Sequence, residues 1–180
     1  MDRKPVEVRA AALPQESLIR LSLSRIDYAD AFEARFPSAK AIRIEDVACA
    51  FFSSAPRWVS LLMRLRNRIV SLVGLKSPKG FSPHSEGGAE IRKGSSFGLF
   101  KVLEKTDTEI ISGEDDKHLD FRVSMSLTSE NSSETREYRL VLSTVVEMHN
   151  LMGRLYFAPV KVFHKRIVPA IIRRMVASLS

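Results

Sequence analysis

The sequence has few of the residues that disulfide frameworks and metal sites require. Its 180 residues include one cysteine, Cys49, and four histidines. A single cysteine cannot form an internal disulfide, so nothing indicates an oxidising compartment. Because Cys49 stands among apolar neighbours, we expect a buried, unreactive thiol. A glycine-rich phosphate loop is also missing, and the one Gly-x-Ser-x-Gly match, over residues 94–98, does not lead into a helical pattern as the nucleophile turn of a hydrolase does. No motif therefore identifies an enzyme, and none indicates a cofactor.

Long apolar runs are absent as well. No stretch reaches the ~18 residues of a membrane-spanning helix, and the first residues are charged, unlike a signal peptide. We therefore expect a cytoplasmic protein. The net charge is +7, which favours an acidic ligand, an acidic membrane surface or a nucleic acid as partner. Few aromatic residues are interleaved with the basic ones, so nucleic acid is the weakest of the three.

Hydrophobic periodicity predicts a sheet and several helices. Strict alternation of apolar and polar residues predicts a strand over 118–128. Apolar residues recur three or four positions apart over 152–175, which predicts a long helix that Pro159 and Pro169 bend or split. The other predicted elements are a strand or short helix over 26–36, helices over 45–52 and 57–73, a loop over 76–96, strands over 97–104, 109–112 and 137–148, and turns over 113–116 and 129–135.

This order of elements predicts an α+β domain. An antiparallel sheet with one apolar face must bury that face, and the last helix is long enough to lie across it. If the sheet curves around this helix, the space between them becomes a cavity unless large side chains fill it. We expect a single domain over residues 26–180, preceded by an extension over 1–25.

Several segments, taken in order, resemble one family. They are Trp58, residues 65–68 and 74–76, residues 113–123 and 144–150, the Gly153-Arg154 pair, Tyr156 and the Phe163-His164 pair. This combination resembles the bacterial domain of unknown function 2867 over roughly residues 26–176. The proline that usually precedes the Phe-His pair in that family is Val162 here. The family brings no established activity. Its resemblance to helix-grip proteins, many of which carry hydrophobic molecules, implies a helix-grip-like fold and an apolar ligand.

Polar residues near the predicted sheet and last helix are the candidates for ligand binding. His118, Asp120 and Arg122 alternate along one strand and therefore share a face. They form either an anion- or proton-handling cluster or an ion pair on a solvated face. His149 adjoins Asn150, a typical helix N-cap. A metal site needs three or more converging ligands, and we predict none. The candidates on the last helix are Arg154, Tyr156 and His164.

Three basic residues, Arg57, Arg64 and Arg68, line one side of the helix predicted over 57–73. A basic amphipathic helix of this kind suits an anionic membrane, although it is also typical of a solvated face. Our leading hypothesis is a module that binds a hydrophobic or amphipathic small molecule between sheet and helix. The alternatives are an enzyme that acts on such a molecule through His, Asp and Arg, and a membrane-surface or partner-binding adaptor.

Overall fold

The computed structural model describes residues 6–54, 91–97, 100–131 and 136–180. Within these ranges seven strands form one sheet in which every neighbouring pair is antiparallel. The strands are β1 Val8–Ala11, β2 Tyr28–Ser38, β3 Ser96–Phe97, β4 Phe100–Lys105, β5 Glu109–Asp115, β6 Leu119–Asn131 and β7 Arg136–Met148. Their order is β1-β2-β7-β6-β5-β4-β3, so β1 and β3 are the two edges of an open sheet.

Three helical segments accompany the described strands. They are a short 3-10 helix Leu18–Leu21, helix α1 Ile44–Ser53 and helix α2 Leu151–Leu179. The side chain of Asn150 caps α2 by accepting a hydrogen bond of 3.0 Å from the Gly153 N–H, as predicted. The α+β class, the long last helix and the hairpin of β6 and β7 are confirmed.

One face of the sheet, here called the helix face, packs against α1 and α2. The side chains of alternate strand residues point to this face. Met125, Leu140 and Leu142 from the sheet meet Ile172 and Met175 from α2, and all five are at most 2% exposed. Apolar packing of this density supplies most of the stabilisation of such a domain. It also fixes α2 across β2 and β7, the strands at the centre of the site described below.

The opposite face, here called the back face, is covered by the chain before β2. Ile19 of the 3-10 helix is fully buried against Ile111 and Val145. Beside it the carboxylate of Glu109 accepts hydrogen bonds from the hydroxyls of Ser17 and Ser124 and, at 3.0 Å, from the Leu18 N–H. Residues 8–19 are therefore an integral part of the packing, while the domain boundary at residue 26 stays a prediction.

Several expected boundaries are wrong for a common reason. Strands β5 and β6 extend into the turns predicted over 113–116 and 129–135, because backbone pairing continues as far as Asp115 and Asn131. Likewise β2 passes through Pro37, which pairs with Glu137. The ladders override the local turn signal of glycine and polar residues. The helix predicted over 57–73, and most of the loop predicted over 76–96, lie outside the described residues.

Two further expectations are corrected. Helix α2 is a single helix of 29 residues, so Pro159 and Pro169 do not split it, while a bend at either proline stays a prediction. Its buried side chains Phe157, Val168 and Ile171 lie on both sides of Pro159, and this packing compensates for the lost backbone hydrogen bonds. Cys49 is exposed rather than buried. Its neighbours Val47, Ala48 and Ala50 form the buried side of α1, which leaves Cys49 on the outer side.

Candidate ligand-binding site

A row of four residues, three of them polar, crosses the helix face at right angles to the strands. Asp30 of β2 pairs with Thr144 of β7, Thr144 pairs with Val123 of β6, and Val123 pairs with Ser112 of β5. Residues in register on neighbouring strands point to the same face. The row, here called the polar row, lies between an apolar row that contains Val146 and another that contains Leu142, Met125 and Ile110.

His164 reaches the polar row from α2. Its Nε2 atom lies 3.1 Å from Oγ1 of Thr144 and 3.3 Å from Oδ1 of Asp30. The side chains of His164 and Asp30 are 21% and 13% exposed, so both are largely removed from water. A protonated His164 would form an ion pair with Asp30, and a neutral one would exchange a hydrogen bond with Thr144. No described residue bonds to the other ring nitrogen, Nδ1.

Tyr28 fixes the second carboxylate oxygen of Asp30. Its hydroxyl donates a hydrogen bond of 2.5 Å to Oδ2. Burial raises the pKa of Tyr28, and the adjacent Asp30 carboxylate raises this pKa further. The phenol therefore remains a proton donor well into the alkaline range. Its ring contacts Phe157 edge to face at 4.8 Å and carries the Lys161 ammonium 5.3 Å from its centre.

Two buried oxygen atoms of the polar row accept or donate no hydrogen bond within the described part of the chain. They are Oδ1 of Asp30 and Oγ of Ser112. The 3.3 Å separation from His164 is short enough for an ion pair, but its geometry does not make a hydrogen bond to Oδ1. A buried polar atom without a partner costs about 1–3 kcal/mol. A ligand or a water molecule that formed hydrogen bonds with these two atoms would remove this cost. Its binding would therefore be most favourable at the polar row.

Comparison with known families adds one finding. A family model described as "Protein of unknown function (DUF2867)" matches residues 22–171. The chain belongs to the DUF2867 family. The matched residues include the whole polar row and His164, so the site lies within the part of the chain shared with the family. Among curated proteins, none matches the chain.

A second polar cluster of this DUF2867 protein lies where β6, β7 and α2 meet. His118 Nδ1 is 3.1 Å from Oδ1 of Asn150, and His149 Nε2 is 3.2 Å from Oδ2 of Asp120. The carbonyl of His118 also accepts a hydrogen bond of 3.0 Å from the His149 N–H. These contacts tie the end of the sheet to the first turn of α2. They account for His118 and His149 structurally, while a ligand role for them stays a prediction.

Arg122 does not join that cluster. It is 8% exposed and forms an ion pair of 2.6 Å with Asp115 on the neighbouring strand. It pairs across the ladder with Val145, which lies in the back-face core. Arg122, and Asp120 two residues earlier, therefore point away from α2. The predicted trio His118, Asp120 and Arg122 is divided among separate partners.

The remaining candidates lie on or near α2. Arg154 is exposed and Tyr156 is half-buried against the cluster of Tyr28 and Phe157. Of the DUF2867 residues that the structure describes, no three His, Cys, Asp or Glu side chains converge on a metal position, and no helix is long and apolar enough to cross a membrane. Arg57, Arg64 and Arg68 lie outside the described ranges, so a membrane role for them stays a prediction.

Four residues of the site are missing from the sequence predictions: Tyr28, Asp30, Ser112 and Thr144. A signal for Asp30 is present nonetheless. The helix-face positions of β2 are Tyr28, Asp30, Phe32, Ala34, Phe36 and Ser38, and Asp30 is the one charged residue among them. A charge at a core-facing position marks a paired or functional group. Ser112 and Thr144 carry no comparable signal, because small hydroxyl residues are common in strands.

Proposed function

We propose that this domain binds an amphipathic small molecule on the helix face of its sheet. The observation that carries the proposal is the polar row, in which Asp30 Oδ1 and Ser112 Oγ are buried without hydrogen bonds. Binding sites for small molecules are mostly apolar surfaces with a few polar groups that fix orientation. Here half-buried apolar side chains beside the polar row would contact the ligand's hydrocarbon part, and the polar row would orient its head group.

The two atoms without a hydrogen bond indicate which chemical groups the ligand's head group should carry. Oδ1 of a carboxylate only accepts hydrogen bonds, so the ligand should present a donor, such as a hydroxyl, amine or amide, at Asp30. The hydroxyl of Ser112 can accept or donate. Three strand spacings separate Asp30 from Ser112, a distance of roughly 14 Å. A head group at Asp30 alone, or a longer molecule with polar groups at both ends, matches this spacing.

The half-buried side chains beside the polar row would contact the apolar part of the ligand. Phe121 packs edge to face on Phe100 with ring centres 5.3 Å apart. Tyr156 and Val160 of α2 pack with Phe121 against the same buried cluster. Each large apolar side chain that becomes fully buried on binding contributes about 1.5–3 kcal/mol. These contacts should therefore supply most of the affinity, and the polar row most of the selectivity.

The test is a titration of the full chain with fluorescent long-chain amphiphiles that differ only in head group. We expect saturable micromolar binding, with the alcohol or amine bound more tightly than the methyl ether. Asp30→Asn should remove this preference, because an amide supplies a weaker acceptor than a carboxylate. Asp107→Asn, at an exposed turn position, is the matched control. Equal affinity of wild type and Asp30→Asn for every head group would contradict the proposal.

Two further measurements sharpen this test. Tyr156→Trp should narrow the space beside Val160 and weaken binding without lowering the unfolding midpoint. Native mass spectrometry of the protein purified from its own host should show a retained small molecule, since ligands buried in apolar sites dissociate slowly. The proposal would be wrong if the protein purified from its host carried no ligand and also bound no amphiphile in vitro.

A second candidate function is an enzyme, favoured by the contact of His164 with Asp30 and Thr144. A histidine beside a buried carboxylate is a common general acid-base pair. If a ligand is recovered, its mass before and after incubation with the protein separates the two functions. A carrier leaves the mass unchanged. An enzyme changes it, and His164→Gln should then retain binding while abolishing the change.

A further inference from the structure

The outward side of α2 exposes an unusual number of large apolar side chains. Leu151, Leu155 and Val162 are 70%, 62% and 62% exposed, and Met152 and Phe163 are 42% and 46% exposed. Their spacings of three, four and seven positions place them on one side of the helix. This stripe, here called the outer stripe, lies opposite the buried residues Gly153 and Phe157. Scattered exposed leucines are ordinary, but a contiguous stripe of five marks an interaction surface.

The charges that α2 itself carries all have the same sign. Residues 150–180 contain no aspartate and no glutamate. Exposed basic residues border the stripe: Arg154 and Lys165 lie along one side of it, and Arg166 follows at its end. A helix with an exposed apolar side and a basic border is typical of proteins that lie in the interface of an anionic membrane. An acidic surface would complement this border, whereas a second copy of this chain, with its net charge of +7, would repel it.

We propose that the outer stripe docks α2 on an anionic lipid bilayer, with the helix axis parallel to the membrane plane. Leu151, Leu155 and Val162 would enter the acyl-chain boundary, and Lys165 and Arg166 would contact lipid phosphates. The helix lies on the surface and does not cross the bilayer, since its inner side is committed to the sheet through Phe157 and Ile172. This inference rests on the outer side of α2 alone and is independent of ligand binding on the inner side.

The experiment is flotation of the full chain with vesicles of pure phosphatidylcholine and of phosphatidylcholine mixed with an equal amount of phosphatidylglycerol. We expect wild-type protein to float with the anionic vesicles only, and added salt to reduce the bound fraction. Lys165→Glu/Arg166→Glu and Leu155→Ser/Val162→Ser should each lower the partition coefficient by about tenfold or more. These four side chains are exposed, so the variants should keep the wild-type unfolding midpoint.

Matched controls separate the outer stripe from charge and hydrophobicity in general. Lys101→Glu/Arg35→Glu changes the net charge equally at exposed strand positions, and it should float nearly as wild type does. Leu21→Ser removes an apolar side chain that is 87% exposed away from α2, and it should have no effect. Equal loss of binding in the controls and the stripe variants would overturn the proposal. So would wild-type protein that ignores anionic vesicles, or a dimer in solution that Leu155→Ser/Val162→Ser converts to a monomer.

Discussion

His164 Nε2 lies 3.3 Å from Oδ1 of Asp30 across the contact between α2 and β2. The two residues belong to opposite halves of the chain, and their side chains are only 21% and 13% exposed. Charged groups placed in such surroundings are costly unless they are paired. On the sheet side, the Tyr28 hydroxyl donates a hydrogen bond to Asp30, and the Thr144 hydroxyl lies within hydrogen-bond distance of His164. The contact therefore both orients α2 on the sheet and defines the polar end of the proposed ligand site.

The first prediction concerns Tyr28 and alkaline pH. The pKa of Tyr28 is higher in the folded protein than in the unfolded chain. The contribution of the protonated phenol to the free energy of unfolding is therefore fully present below about pH 10, and it is lost as the pH rises further. Urea unfolding of wild type at neutral pH and at about pH 11 should show this loss. Tyr28→Phe should show a smaller alkaline loss, and at neutral pH it should lose about 1.5–3 kcal/mol for the missing bond to Asp30.

Tyr156→Phe is the control for that experiment, because Tyr156 is half-buried on α2 and does not contact the carboxylate. It should retain the alkaline loss of wild type. An alkaline loss that is identical in wild type and Tyr28→Phe would show that another group causes it.

The second prediction concerns Glu109 on the back face. Its carboxylate is 6% exposed and accepts hydrogen bonds from Ser17, Leu18 and Ser124. Glu109→Gln replaces the charge-assisted hydrogen bonds of a carboxylate with weaker bonds of a neutral amide and forces the Ser17 and Ser124 hydroxyls to reorient, which should lower the free energy of unfolding by about 1–3 kcal/mol. Glu114→Gln, at an exposed position of the same strand, should change it by less than about 0.5 kcal/mol. Equal midpoints of the two variants in urea would refute this assignment.

The third prediction concerns the close approach of α2 to the sheet at Gly153. A Cβ atom at this position would lie 2.1 Å from the carbonyl oxygen of His118. Gly153→Ala must therefore displace the first turn of α2, and we expect a loss of about 1–3 kcal/mol. The displacement should also change the NMR signals of His118 and His149. Met152→Ala alters the adjacent exposed position and should leave both stability and these signals unchanged.

The fourth prediction compares two side chains of β6. Met125 is 1% exposed in the main core, whereas Phe121 is half-buried beside the polar row. Met125→Ala should cost about 2–5 kcal/mol. Phe121→Ala should cost less than the 3–5 kcal/mol typical of a fully buried phenylalanine, and it should weaken amphiphile binding more than Met125→Ala does. We therefore expect Met125→Ala to lower the free energy of unfolding more than Phe121→Ala does. A larger loss for Phe121→Ala would contradict the packing described for β6.

The sequence predicted those strands and helices in which the burial of one side imposes a regular spacing of apolar residues. The alternation over 118–128 predicted β6, and the recurrence over 152–175 predicted α2. Strand ends were less predictable, because Gly113 and the polar residues after Leu127 have turn propensity while their partner strands continue alongside. The ladder partner decides such ends, and it is remote in sequence.

The site followed from the sequence only in part. His164 was predicted from its place on the last helix, but its partners Asp30 and Thr144 belong to strands whose register was unknown. The pairing of β2 with β7 brings them together. Conversely, His118, Asp120 and Arg122 share a local pattern, yet neighbouring strands provide a different partner for each. Spacing along one strand predicts the face of a side chain and not its contacts.

The pairing of β2 with β7 has a consequence for how the chain folds. Glu33 and Arg139, which form an ion pair on these strands, are 106 positions apart in sequence. Joining such distant segments lowers the entropy of the chain before the stabilising contacts between the strands have formed, so this step should be slow. The hairpin of β6 and β7 can form first, because its strands are adjacent in sequence. We therefore expect the polar row, which needs β2, to be assembled late, after most of the sheet already exists.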